Sequence, residues 1–230
     1  MRKEFVLGKK LLFLTAHPDD ESFLATGTML ANHKAGGESY IICATLGEKG
    51  RSQLKKPVAA GKLKKIRKAE LIAVSGALKV KKVFLLLLPD GGLHGKENIL
   101  ADRCFKIAKR LKPDFIVSFG PDGISRHLDH IAAGVAARRV AKKLRIPFLA
   151  FARPPKIARK EHLYVGLRKH GVYSTKTIYT KPDIKISADP VRKLKIIQLH
   201  KSQHMRGRPL SAMPDYALRE ILKAEYYVFE

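Results

Sequence analysis

Residues 17–21 read His-Pro-Asp-Asp-Glu, one imidazole and three carboxylates within five positions, directly after the run LLFLTA. A second group of the same character, His127-Leu128-Asp129-His130, lies far downstream. His17 and Asp20 are three apart, and His127 and His130 repeat that spacing. At a strand-to-helix turn, side chains three apart reach a common point. Two imidazoles and one carboxylate make a common catalytic zinc set, with a position left open for water. The same ligand types suit other divalent ions. One acid, Asp19, is then spare beside the metal. A helix beginning near Asp20 would favour ionised carboxylates through its partial positive N-terminus. A plainer reading stands beside this one: Asp19 or Asp20 as an N-cap and Glu21 as a first-turn acid.

The elements that must position these groups are legible as an alternation. Apolar strand-like runs fall at 11–16, 39–45, 83–88, 114–119 and 147–151. Helix-period segments fall at 20–34, 63–78, 97–111 and 131–144. Residues 46–62 read as a Gly- and Lys-rich loop, and GPDGISRHLDH (120–130) as another. This rhythm predicts an α/β fold: three layers, Rossmann-like, a mostly parallel sheet with helices on both faces. Strands that are apolar throughout fit a sheet covered on both sides. In such sheets ligands bind beyond the carboxyl ends of the strands. HPDDE follows strand one and GPDGISRHLDH follows strand four, so both clusters are expected on one rim. Beyond 152 the rhythm weakens. KTIYT and DIKIS look like short strands, DPVRKLKIIQLHKSQ like a capped helix and EYYVFE like a last strand. The expectation is a single domain, 1–230, with a core at 1–152 and a C-terminal α+β elaboration at 153–230.

Composition narrows the function classes. A dinucleotide site needs G-x-G-x-x-G after the first strand, and AHPDDE offers no glycine. The net charge of +26 permits attraction to nucleic acid, anionic lipid or an anionic substrate. The basic residues are spread along the chain without aromatic interleaving, which argues against nucleic acid as the primary partner. No apolar run reaches transmembrane length, and the basic N-terminus does not read as a secretory signal. Cys43 and Cys104 form no CxxC pair and read as buried free thiols in a reducing, cytoplasmic setting.

AHPDDE followed by HLDH resembles the LmbE-like, or PIG-L, family of zinc-dependent de-N-acetylases, which act on N-acetylglucosamine conjugates. RKAE (67–70), LLPDGGL, HKSQ (200–203) and AEYYVFE resemble further motifs of that family, in the same order. The resemblance implies that His17, Asp20 and His130 hold a Zn2+, or another divalent ion, and that Asp19 is the general base. It implies that His127 stabilises the oxyanion, best when protonated, or protonates the leaving amine, and that Asp129 orients or tunes His127. Arg51, in TLGEKGR, and His200 are the implied substrate contacts. Asp19, His127 and His200 are all candidates for the proton that the leaving nitrogen needs. Two positions depart from the family pattern: Leu128, where Pro is usual, and Leu46, where Asp is usual. The expected partner is a small N-acetylated sugar conjugate, with an anionic group as an option; homo-oligomerisation is left open. The alternatives are an amidase acting on a non-sugar amide, and a basic module binding nucleic acid or an anionic surface.

Overall fold

The computed structural model describes residues 5–54, 56–158, 181–203 and 215–230. Its strands are β1 (Lys10–Thr15), β2 (Glu38–Cys43), β3 (Lys82–Leu85), β4 (Phe115–Phe119), β5 (Phe148–Ala152), β6 (Ile184–Ser187) and β7 (Ala224–Phe229). They form one sheet in the order β3-β2-β1-β4-β5-β7-β6. The first five are parallel. β7 runs antiparallel to both β5 and β6. The helices are α1 (Asp20–Leu24), α2 (Thr26–Lys34), α3 (Ala60–Ala77), α4 (Glu97–Leu111), α5 (Leu128–Leu144), α6 (Pro155–Ala158), α7 (Pro190–Ile197) and α8 (Asp215–Lys223). The fold is the Rossmann-like α/β arrangement that the alternation predicts. Leu11, Phe13 and Leu14 of β1 are buried, as are Ile41 and Val117 on its neighbours and Phe151 on β5. A central parallel strand is apolar throughout because helices cover it above and below.

The structure differs from the sequence expectations in several places. The helix expected at 20–34 is two helices, broken at Ala25 (φ −142, ψ 9). The cause is Glu225 on β7, whose carboxylate accepts the amides of Gly27 at 2.8 Å and Thr28 at 2.7 Å. These bonds give α2 its own capped N-terminus. Gly27 is required there: a Cβ would stand 2.7 Å from that of Ala188. The third strand ends at Leu85 instead of 88, and Leu87 beyond it has φ 57. α5 starts three residues early, so Asp129 and His130 sit in its first turn and His127 is its N-cap. Helices α6 and α8 had no counterpart in the sequence reading, and KTIYT lies outside the described residues. β6 and β7 lengthen the sheet of the N-terminal core, with β7 inserted between β5 and β6.

Candidate active site

β1 and β4 are hydrogen-bonded neighbours, with Phe13 opposite Val117, and they end on one rim of the sheet. The residues after β1 and those opening α5 therefore meet. His17 Nδ1 lies 3.2 Å from His130 Nε2. His130 Nε2 lies 3.2 Å from Asp20 Oδ1, and His17 Nδ1 3.9 Å from Asp20 Oδ2.

The outer hydrogen bonds fix what these atoms are. His17 Nε2 faces two carboxylates, Asp129 Oδ2 at 3.2 Å and Asp90 Oδ1 at 3.1 Å. A carboxylate accepts, so the proton of a neutral His17 sits on Nε2 and its lone pair on Nδ1. His130 Nδ1 is 3.0 Å from the carbonyl of Gly123 and donates to it, which leaves the Nε2 lone pair facing inward. Its ring is stacked on Phe119 at 4.2 Å between centroids, which holds that direction. Asp20 Oδ2 accepts the amides of Ala16 and His17, so Oδ1 is aimed at the histidines. Two imidazole lone pairs and one carboxylate oxygen converge on one point. Donors about 2.0–2.1 Å from a tetrahedral ion stand about 3.3–3.4 Å apart, close to the two 3.2 Å separations. The trio His17, Asp20 and His130 thus fits a divalent ion, with all donor atoms within 4.8 Å of one another. A second trio, His17, His127 and Asp129, also lies within that span. It would need a lone pair on the His17 nitrogen that faces two carboxylates, and Asp129 is already occupied by the amides of Gly91 and Leu93.

The electrostatics agree. Burial disfavours the His17 imidazolium, but hydrogen bonds to Asp129 and Asp90 and the charge of Asp20 outweigh it and push its pKa up to about 10. Asp20 is held well below the usual carboxylate range: burial opposes this, and His130 and His17 overcome it. The site stabilises positive charge, be it a proton or a metal ion. His127 goes the other way. Burial, with the charges of His130 and His17, lowers its pKa to about 4.

Asp19 is not a cap. It is the N-cap residue of α1 by position, but its side chain makes no capping bond and its backbone is left-handed (φ 112, ψ −28). Such a conformation costs a non-glycine residue about 1–3 kcal/mol and persists only where its surroundings enforce it. Its Oδ2 pairs with Arg67 Nη2 at 3.2 Å. Arg67 Nη1 donates to the Gly47 carbonyl at 2.8 Å, and Nη2 also donates to the Pro18 carbonyl. Gly47 (φ 65) leaves room for this guanidinium: a Cβ would lie 2.1 Å from Nη1.

The sequence model of the GlcNAc-PI de-N-acetylase (PIG-L) family matches residues 12–141, more than half of the chain. The chain belongs to the PIG-L family. A curated relative, "Probable N-acetyl-alpha-D-glucosaminyl L-malate deacetylase 2" of Bacillus subtilis (strain 168), is 36% identical over 132 residues, which cover 56% of this chain and 59% of the relative. The match thus spans less than two thirds of that protein. Among solved structures, N,N'-diacetylchitobiose deacetylase from Pyrococcus horikoshii superposes with a TM-score of 0.68 at 21% identity, covering 96% of this chain and 84% of that one. GalB, a 4-carboxy-2-hydroxymuconate hydratase from Pseudomonas putida KT2440, superposes with a TM-score of 0.65 at 18% identity, covering 96% and 95%. At such identities the likeness is one of fold, and the same fold carries more than one chemistry.

In this PIG-L chain the structure gathers His17, Asp19, Asp20, His127, Asp129 and His130 on one rim, and treats three of the sequence assignments differently. The Asp129 carboxylate meets His17, not the ring of His127; only its backbone amide reaches His127, at Nδ1 (3.2 Å). His127 therefore carries its proton on Nε2 and is neutral, where the sequence reading favoured an imidazolium. His200 is fully buried, its Nε2 2.6 Å from Glu21 Oε1, so it presents no edge to a substrate. Arg51 is exposed on the loop between β2 and α3, a position compatible with a substrate contact; Arg67, which the sequence reading left unassigned, pairs with Asp19 of the HPDDE turn. Asp90 and Arg67 are the contributors that the sequence reading did not assign to the centre. The Arg-x-x-Glu and Pro-Asp-Gly motifs marked their positions, while their partners lie too far along the chain for spacing to reveal.

Proposed function

We propose that this protein is a divalent-metal-dependent, zinc-preferring hydrolase that removes the acetyl group from an N-acetylglucosamine-type conjugate. The observation that carries the reading is the convergence of lone pairs from His17, His130 and Asp20; the neighbouring acid in the chain, Asp19, stays outside that trio with its carboxylate paired to Arg67. Family membership and the deacetylase names of its relatives support it.

In this reading His17, Asp20 and His130 hold the ion. Bound there, it supplies Lewis acidity, polarising the acyl carbonyl and lowering the pKa of water. Asp19 accepts the proton of the attacking water. Arg67 Nη2, 3.2 Å from Asp19 Oδ2, holds that carboxylate in place. His127 offers its Nε2–H to the oxygen on which negative charge develops, as a neutral donor whose geometry is fixed by the Asp129 amide. The amine nitrogen then needs a proton. His200 is sealed against Glu21. His127 holds a single proton, and giving it up would leave an imidazolate. Asp19, protonated in the first step, is the donor that remains. Asp129 and Asp90 act behind His17, fixing its tautomer.

An anionic substituent on the conjugate suits the surface. Among the described residues six carboxylates are buried (Asp20, Glu21, Asp90, Asp122, Asp129, Glu225) against two cations, Arg67 and Lys193. Among those residues burial therefore removes more negative than positive charge from the surface of a chain whose net charge is +26. No helix of the described residues is long and apolar enough to cross a membrane.

The test is acetate release from a panel of N-acetylated compounds: glucosamine conjugates with neutral and anionic aglycones, and a non-sugar acetamide. The zinc-loaded protein should release acetate from the sugar conjugates and lose that activity on chelation. Release from the non-sugar amide alone would move the assignment to a different amidase. Release from none would remove the deacetylase assignment.

A further inference from the structure

We propose that Glu21 and His200 are positioning residues for Asp19, a buried strut that holds its backbone in the left-handed conformation from which the carboxylate acts. The proposal rests on the reading of Asp19 as the base. With φ at 112, Asp19 needs more than its own preferences to stay in place. Its carbonyl is tied to the amides of Ser22 and Phe23 and the hydroxyl of Ser22, as any helix start allows. Its amide belongs to the preceding peptide, Pro18–Asp19, which must also be fixed, and it donates to Glu21 Oε2 at 3.1 Å. Glu21 is wholly buried, and its second oxygen meets His200 Nε2 at 2.6 Å, 179 residues away in the chain. A first-turn acid serving only the helix dipole works from the surface and needs no buried histidine. Here one carboxylate bridges the amide of Asp19 and an imidazole that is itself held.

His200 is anchored from behind. Its amide donates to the Ile197 carbonyl at the end of α7. Two residues on, Ser202 donates from both N and Oγ to the Glu70 carboxylate, each at 2.7 Å. Glu70 lies one helical turn beyond Arg67 on α3, and Arg67 grips the Pro18 carbonyl and the Asp19 carboxylate. The peptide before Asp19, its amide and its side chain are all held, from α3 directly or through the turn that α3 anchors. The motif HKSQ thereby acquires a role that requires no contact with substrate.

The experiment compares His200→Leu, which removes the donor to Glu21, with His200→Gln, which restores an N–H near the same place. Three quantities are read on metal-loaded protein: metal content, kcat and KM on the best acetamide, and hydrogen exchange of the Asp19 amide by NMR. His200→Leu should keep its metal and its KM and lose about 10–100-fold in kcat, the scale expected when a reacting group is misplaced. Its Asp19 amide should exchange about tenfold faster or more. His200→Gln should recover most of both. Should His200→Leu not fold, Ser202→Ala, which loosens the turn while keeping the buried pair, is read the same way and should shift both quantities in the same direction. Wild-type kcat and wild-type Asp19 exchange would overturn the proposal, as would lost kcat with unchanged exchange and no recovery in His200→Gln. If the wild-type protein hydrolyses no acetamide, the deacetylase reading fails, and the exchange measurement alone decides whether the strut exists.

Discussion

The carboxylate of Asp129 lies 3.2 Å from Nε2 of His17, a residue on a different strand end, and does not reach the ring of His127 two positions before it. Its oxygens also accept the amides of Gly91 and Leu93. In the proposed metal site this makes Asp129 a group that fixes the tautomer of His17. Replacing such partners typically costs about 10–100-fold in metal affinity. Asp129→Asn should show that loss in competition with a chelator of known affinity. Unchanged affinity would return Asp129 to a role at His127.

The acids around His17 raise its pKa to about 10, against an ordinary value of 6.5. At pH 7.5 the metal-free protein therefore carries a proton there that a metal ion must displace, so loading releases protons. Calorimetric titration with zinc in buffers of different ionisation enthalpy should show about one proton released per ion at His17. No dependence on buffer would mean that His17 enters the site already neutral.

His127 should behave as a fixed hydrogen-bond donor. Removing one donor of this kind typically costs about 10²–10³ in kcat. His127→Ala should fall in that range, and His127→Gln, which keeps an N–H, should retain more activity. Because burial and the neighbouring His130 and His17 hold its pKa down to about 4, neither substitution should remove a titration near neutrality from the kcat–pH profile. Loss of such a limb would make His127 an acid.

Much of the site was legible because its chemistry is local in sequence. His17 and Asp20 share one turn, His127 and His130 another, and parallel strands β1 and β4 bring those turns together. What stayed hidden depends on contacts between distant segments. The break at Ala25 is imposed by Glu225, some two hundred residues away, and Gly27 beyond it does not by itself end a helix pattern. The start of α5 at Leu128 is set by the His127 ring acting as its own cap, a use of histidine that spacing does not distinguish from ligation. His200 reads as a polar helix-end residue until its burial against Glu21 is known. Arg67 and Glu70 were visible as a pair on one helix, but not which carboxylate or which turn each would hold.

Lys193 and Glu225 form a wholly enclosed ion pair at 2.7 Å, and Glu225 also caps α2. Removing one partner leaves the other charged and buried, which costs about 3–5 kcal/mol. Lys193→Met should lower stability by about that much in urea unfolding, without changing metal content. A change below about 1 kcal/mol, the scale of exposed pairs, would show that the remaining carboxylate is relieved by solvent.

Asp19 and Asp20 are adjacent, yet one is assigned to the proton and the other to the metal. Asp20→Asn should empty the site, whereas Asp19→Asn should leave it filled. The decisive measurement is turnover per bound metal ion in Asp19→Asn, with acetate release and metal content determined on the same sample. A positioned general base contributes about 10²–10⁴-fold, so turnover per ion should fall by that factor at full metal content. Wild-type turnover per ion in Asp19→Asn would contradict the account.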